Sequence, residues 1–173
     1  MDFTSQPKPT IEYVCGFLFS TIHDNATLSR EVVLIKKTKG PEINVGKLNG
    51  VGGKRESMET FEEAMSREFG EEAGIYIPPN RWTPYFWLYG EGWCVKFMVA
   101  YTSSDHLHRA RTMEEEEIFI LEVDRVITGK EATPLAENLY WLIPMALHME
   151  ESDGSILHER IPEAAMPEAG SGE

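Results

Sequence analysis

Between Gly53 and Ile75 the chain reads GKRESMETFEEAMSREFGEEAGI, and no other segment constrains the fold as strongly. Thr60 followed three residues later by Glu63 is a capping-box signal. Phe61, Ala64, Met65 and Phe69 recur at helical spacing, and Gly74 is placed to end the helix in a left-handed conformation. The segment therefore reads as a helix with one packed face. The other face carries Glu68, Glu71 and Glu72. Residues three and four apart project together, and three ionised carboxylates cannot stay crowded without a cation between them. Oxygen-only ligands suit Mg²⁺, with Mn²⁺ able to substitute; both keep several waters and are completed by substrate phosphates. Just before the helix, Asn49-Gly50-Val51-Gly52-Gly53 supplies glycines that let a main-chain carbonyl approach a metal or ligand. The plainer readings are a solvated acidic face and an ordinary tight loop.

This segment resembles the Nudix box, whose defining positions are met by Gly53, Glu59, Arg67, Glu68, Phe69, Glu71, Glu72, Gly74 and Ile75. A looser similarity runs from Cys15 to Leu147. It is nearest to Nudix enzymes that cleave nucleoside triphosphates, including 8-oxo-dGTP diphosphatases of the MutT type. The resemblance implies an α/β fold, the Nudix α/β/α sandwich with a mixed β-sheet, in which the box forms a loop-helix-loop beside the sheet. It implies Glu68, Glu71 and Glu72 as the main metal ligands, helped by the carbonyl of Gly52, with Glu68 also able to accept a proton from water. Family members differ in which carboxylate is the base, so that role stays open. The fixed fork of Arg67 suits holding a carboxylate in one rotamer. Glu59 pairs with Arg67, reaches the metal through water, or is simply a charge at the helix start. Further on, Glu114, Glu115, Glu116 and Glu117 precede a strand. The resemblance returns one acid of this loop to the metal site, with Glu115 preferred and Glu114 next, against a solvated acidic loop.

For the substrate, an Asn before the glycine run resembles oxidised-purine triphosphatases, so Asn49 is a candidate reader of a base edge, its alternative being a turn residue. Glu137-Asn138-Leu139-Tyr140-Trp141 resembles a family segment carrying acidic base-recognition residues. Asn138 stands where an acid is expected, which weakens the case for 8-oxoguanine. Glu137, Asn138 and Trp141 are the candidates here, and Trp141 is otherwise a core aromatic. Lys36 matches a phosphate-contacting position; Lys37, Lys39, Arg109 and Arg111 are substitutes or ordinary surface charges.

A chain of 173 residues, 42% hydrophobic, suffices for one domain. Apolar runs predict strands at Ile11–Ser20, Glu31–Lys37, Arg81–Tyr89, Trp93–Tyr101 and Ile118–Val123, the third and fourth joined as a hairpin. A second helix is predicted over Leu135–Met149, with Pro144 able to kink it. Residues 1–9 read as a flexible arm, 10–149 as the Nudix domain, and 150–173, with seven acids against one Arg, as an acidic disordered tail. Cys15 and Cys94 read as reduced core residues. A net charge of −13 argues against stable nucleic-acid binding. With no leader pattern and no apolar run near ~18 residues, a cytoplasmic protein away from membranes is expected. A small nucleotide is the expected partner, with oligomerisation unread. Three functions remain open: a Mg²⁺-dependent nucleoside triphosphate diphosphatase serving pool sanitation, a Nudix pyrophosphatase for ADP-ribose, nucleotide sugars or dinucleoside polyphosphates, and a non-catalytic nucleotide-binding module.

Overall fold

Long apolar runs without a polar alternate mark strands buried on both faces. The computed structural model, which describes residues 9–21 and 30–149 and the backbone of Leu157–Arg160, places seven strands in one sheet. They are β1 (Ile11–Ser20), β2 (Glu31–Lys36), β3 (Leu48–Asn49), β4 (Thr83–Gly90), β5 (Trp93–Thr102), β6 (Glu117–Glu122) and β7 (Leu157–Arg160). The helices are α1 (Phe61–Ala73), α2 (Ser104–Leu107), α3 (Val123–Ile127) and α4 (Leu139–His148). The main path runs β3-β2-β1-β5-β4-β7, and β6 pairs with β2. β1 and β5 are parallel in register from Ile11 against Trp93 to Ser20 against Thr102, whereas β4 and β5 form the expected antiparallel hairpin.

Alternation along the central strands divides the core. Phe17 and Phe19 of β1, Val32 and Leu34 of β2, and Phe97 and Val99 of β5 join Leu139, Leu142, Ile143 and Ala146 of α4 on one side. Leu18, Val33, Ile35, Met98 and Ala100 join Ala64, Met65, Phe69 and Ala73 of α1 on the other. Helices thus cover both faces of a mixed sheet, the α/β/α sandwich. A bulge between Pro84 and Phe86 turns the neighbours Tyr85 and Phe86 toward the same core.

α4 begins four residues later than the predicted helix because Leu135 is drawn into a bridge with Leu48, and the Leu48 N–H donates to the Pro134 carbonyl. The helix continues through Pro144, whose missing N–H costs about 3 kcal/mol in a helix interior. Four fully buried apolar residues on the same helix outweigh it. Inside the segment expected to be disordered, Leu157–Arg160 instead pairs in parallel with Phe86–Tyr89 of β4. The rest of that tail, and residues 1–8 of the expected arm, lie outside the described residues. No described helix is long and apolar enough to cross a membrane.

Candidate active site

The helix carrying the acids is fixed at both ends as its sequence dictates. Thr60 accepts a hydrogen bond from the Glu63 N–H at 3.1 Å, the Glu63 carboxylate accepts from the Thr60 N–H at 2.7 Å, and Gly74 closes α1 at φ 69°. With Met65 and Phe69 fully buried, the rotation of α1 is set, and Glu68 and Glu72 turn toward the glycine loop. That loop lies against β1: the Val14 N–H donates to the Gly53 carbonyl and the Gly16 N–H to the Val51 carbonyl.

Two glycines there are in close contact with their surroundings. A Cβ on Gly52, at φ 156°, would collide with the Val14 carbonyl. A Cβ on Gly53 would stand 2.5 to 2.7 Å from both oxygens and the carboxyl carbon of Glu68. The Glu68 carboxylate therefore rests directly on the Gly53 backbone. The Gly52 N–H donates to Glu72 Oε2 at 3.2 Å, leaving the Gly52 carbonyl facing the same space.

The crowded acids are bridged by two cations of the chain itself. Arg67 spreads its fork over three carboxylates: Nε and Nη2 donate to Glu59 at 3.0 and 2.7 Å, and Nη1 to Glu68 at 2.8 Å and Glu71 at 3.0 Å. Nη2 also donates to the Lys54 carbonyl. These bonds hold the Glu59 carboxyl below its ordinary range and keep Arg67 charged. On the opposite side, Lys37 Nζ lies 3.3 Å from the Gly52 carbonyl, 3.4 Å from Glu72 Oε1 and 2.9 Å from Glu116 Oε2.

Burial sets the protonation of the inner pair. It pushes the Glu68 carboxyl up, with Arg67 opposing, and pushes Glu72 up to about 7, with Lys37 and the Gly52 N–H opposing. Glu71 points outward and is half exposed. Lys37 pays the same desolvation, but Glu72 and Glu116 outweigh it and raise its pKa.

Several predicted residues fall elsewhere. Glu115 is 73% exposed and pairs with Lys39 at 2.6 Å. The loop acid at the cluster is Glu116, whose second oxygen accepts from the Thr38 N–H at 2.7 Å and the Lys39 N–H at 3.3 Å. The phase of β6 explains the exchange: Ile118 and Ile120 pack on the α1 side, and Glu116 continues that alternation backwards. Lys36 likewise gives way to Lys37. Lys36 is paired with Leu48, which packs on the α4 side, and the next residue reaches the carboxylates. Both Glu116 and Lys37 were within reach of period-two reasoning from the sequence. Lys37, Lys39, Gly40, Glu72 and Glu114–Glu116 line a cleft of about 250 Å³.

The bridge between Leu48 and Leu135 joins β3, which carries Asn49, to the segment leading into α4. Asn49 is 8% exposed; its Oδ1 accepts from the Gly50 N–H at 2.8 Å, and its amide nitrogen has no partner among the described residues. Asn138 caps α4 without a side-chain capping bond, and its buried Oδ1 has no partner among the described residues. Glu137 is exposed, and Trp141, 40% exposed, packs edge-on against Phe86 at 5.2 Å between centroids. Cys15 and Cys94 are free thiols, pushed by burial up to about 12 and about 11.

The donors present fit a hard divalent cation: carboxylates and a main-chain carbonyl, oxygen throughout, with the Lys37 ammonium already standing among three of them. Among the described residues no three acids, histidines or cysteines converge as a finished ligand group.

A sandwich of this topology, with a capped acidic helix packed on a glycine loop, defines the class. The sequence profile of the NUDIX domain matches residues 22–142, and the chain belongs to that family; it is a Nudix hydrolase, acting on pyrophosphate bonds. Nudix hydrolases generally use a divalent metal. Among solved structures, the chain is similar to the NUDIX domain of Shewanella oneidensis NrtR complexed with ADP ribose (17% identity, TM-score 0.64, covering 87% of this chain and 94% of that one). It is also similar to a mutT/nudix family protein from Listeria innocua (18%, TM-score 0.61, 84% and 97%) and to a MutT protein from Bacillus halodurans (21%, TM-score 0.57, 89% and 92%). At these identities the likeness is one of fold. No curated protein matches the chain significantly.

Proposed function

We propose that this Nudix hydrolase is a Mg²⁺-dependent nucleoside triphosphate diphosphatase, releasing a nucleoside monophosphate and pyrophosphate, with a role in clearing the nucleotide pool. The observation that carries this reading is the buried Asn138 Oδ1, which has no partner among the described residues, together with the partnerless amide nitrogen of Asn49 on β3, the strand bridged at Leu48 to the segment leading into α4. Together they offer a donor and an acceptor, the pattern a purine edge requires.

In this reading Glu68, Glu72 and the Gly52 carbonyl hold Mg²⁺, with Glu116 rather than Glu115 as the loop acid and Glu71 at the rim. The metal supplies charge neutralisation on the phosphates and a more acidic water. Arg67 fixes the rotamer of Glu68 and is itself oriented by Glu59. Glu68, fixed by Arg67 and resting on the Gly53 backbone, is the proposed acceptor of the water's proton. Lys39 lines the cleft and suits polyphosphate charge, and Trp141 on α4 offers an exposed ring.

The second reading, cleavage of ADP-ribose or another nucleoside diphosphate derivative, is supported by the fold's likeness to a domain that binds ADP ribose. A screen of nucleoside triphosphates, ADP-ribose, nucleotide sugars and dinucleoside polyphosphates, with Mg²⁺ and with excess chelator, separates the two by chromatography of products. Metal-dependent turnover of triphosphates supports the first reading. Turnover confined to diphosphate conjugates replaces it with the second.

A further inference from the structure

Lys37 does not behave as a surface lysine. Its Nζ is placed by three acceptors, the Gly52 carbonyl at 3.3 Å, Glu72 Oε1 at 3.4 Å and Glu116 Oε2 at 2.9 Å, matching the three donors of an ammonium, and the side chain is only 17% exposed. Lys39, two residues on, is 75% exposed and among the described residues its ammonium pairs with Glu115. Two of the three Lys37 acceptors are the oxygens assigned above to the metal, and the third comes from the acidic loop. A compact charge on a flexible four-carbon stem can occupy such a position and leave it again, whereas Arg67, spread over Glu59, Glu68, Glu71 and a carbonyl, is fixed.

We propose that the Lys37 ammonium is a tethered stand-in for the divalent ion, holding Gly52, Glu72 and Glu116 together in the metal-free enzyme and leaving when the metal arrives. The inference rests on the metal site of the proposed function. An ammonium and a dication cannot share these oxygens: at a separation of a few ångströms in a partly buried site their repulsion is only weakly screened. Lys37 therefore stabilises the carboxylates when no metal is bound and weakens metal binding by competition. Once displaced, its charge remains on the wall of the cleft, where a polyphosphate would take it up. Lys37 so couples the two ligands: substrate draws the ammonium away from the carboxylates and metal affinity rises, while metal releases the ammonium toward substrate.

The test is Mn²⁺ binding to the metal-stripped full chain, followed by the electron paramagnetic resonance of free Mn²⁺, alongside thermal unfolding with and without Mn²⁺. Lys37→Met should bind Mn²⁺ at least about fivefold more tightly than wild type. It should also melt at a lower temperature in chelator and gain more from saturating Mn²⁺. Lys39→Met, which removes a charge from the same loop outside the cluster, should stay within about twofold of wild type. Lys37→Met binding as wild type or more weakly, or Lys39→Met matching its gain, overturns the proposal. If wild type, Lys37→Met and Glu72→Gln all show no Mn²⁺ binding, it is the metal site itself that fails. Wild type and Lys37→Met binding equally well while Glu72→Gln does not leaves the site standing and removes only the role of Lys37.

Discussion

Gly53→Ala separates the geometry of the carboxylates from the stability of the fold. The backbone at Gly53 is not in the left-handed region, so alanine is allowed there, and the loss of glycine freedom in the unfolded chain is worth about 0.4–1 kcal/mol in its favour. The new methyl carbon, however, would lie 2.5 Å from Glu68 Oε2, 2.6 Å from its carboxyl carbon and 2.7 Å from Oε1. Ordinary contact requires roughly 3.4 Å or more, so the carboxylate must retreat by close to 1 Å. The atoms in the way are the far end of a side chain, which can move, so the melting temperature should change by no more than a few degrees. A displacement of about 1 Å at the reacting centre is enough to lower turnover about a hundredfold. Gly52→Ala is the contrast: its methyl would meet the main chain of β1, which cannot move, and stability should fall by several kcal/mol. Circular dichroism melts together with kcat on the best substrate from the screen decide the matter. A Gly53→Ala enzyme with near-normal kcat, or one that melts as poorly as Gly52→Ala, would refute the placement of Glu68 against this backbone.

The pH dependence of the metal-free protein follows from Glu72. Its folded pKa, about 7, lies above the ordinary 4.5, so the folded state holds the extra proton between these values and stability falls as pH rises through that window. The loss from this group is at most about 3.5 kcal/mol, at about 1.4 kcal/mol per pH unit. Urea titrations in chelator from pH 5 to 8 should show the decline and saturating Mg²⁺ should reduce it; a rise from pH 5 to 7 would count against the burial argument. Arg67→Lys keeps the charge but cannot span Glu59, Glu68 and Glu71, so kcat should drop at least about tenfold while the fold persists, and unchanged kcat would make Arg67 a bystander. Asn49→Ala and Asn138→Ala should each reduce the preference between purine and pyrimidine triphosphates by about tenfold, with a poor substrate hydrolysed almost as before. Equal losses on every triphosphate would instead make both residues structural.

The parts of this protein legible from sequence are those set by local physics. The capping pair, the apolar stripe and the terminal glycine placed α1, and continuous apolar runs placed β1, β2, β4, β5 and β6. What escaped was decided by tertiary context. The two residues of β3 and the short α2 and α3 offer too little length for a periodic signal. The strand Leu157–Arg160 sits in a composition typical of disorder, yet an open edge of β4 gives its backbone partners. At the site, family likeness favoured Lys36 and Glu115, whereas the alternation of β2 and β6 turns Lys37 and Glu116 toward α1. Counting acids on a helix face also missed that α1 splits them, with Glu68 and Glu72 inward and Glu71 at the rim, and that the chain supplies its own counter-cations.

The bond that is broken tests the central claim most directly. With the preferred nucleoside triphosphate in ¹⁸O-labelled water and Mg²⁺, mass spectrometry and ³¹P resonance should find nucleoside monophosphate and pyrophosphate as the first products. One labelled oxygen should appear in one of the two. Orthophosphate as the first product, or the same turnover in excess chelator, would contradict it.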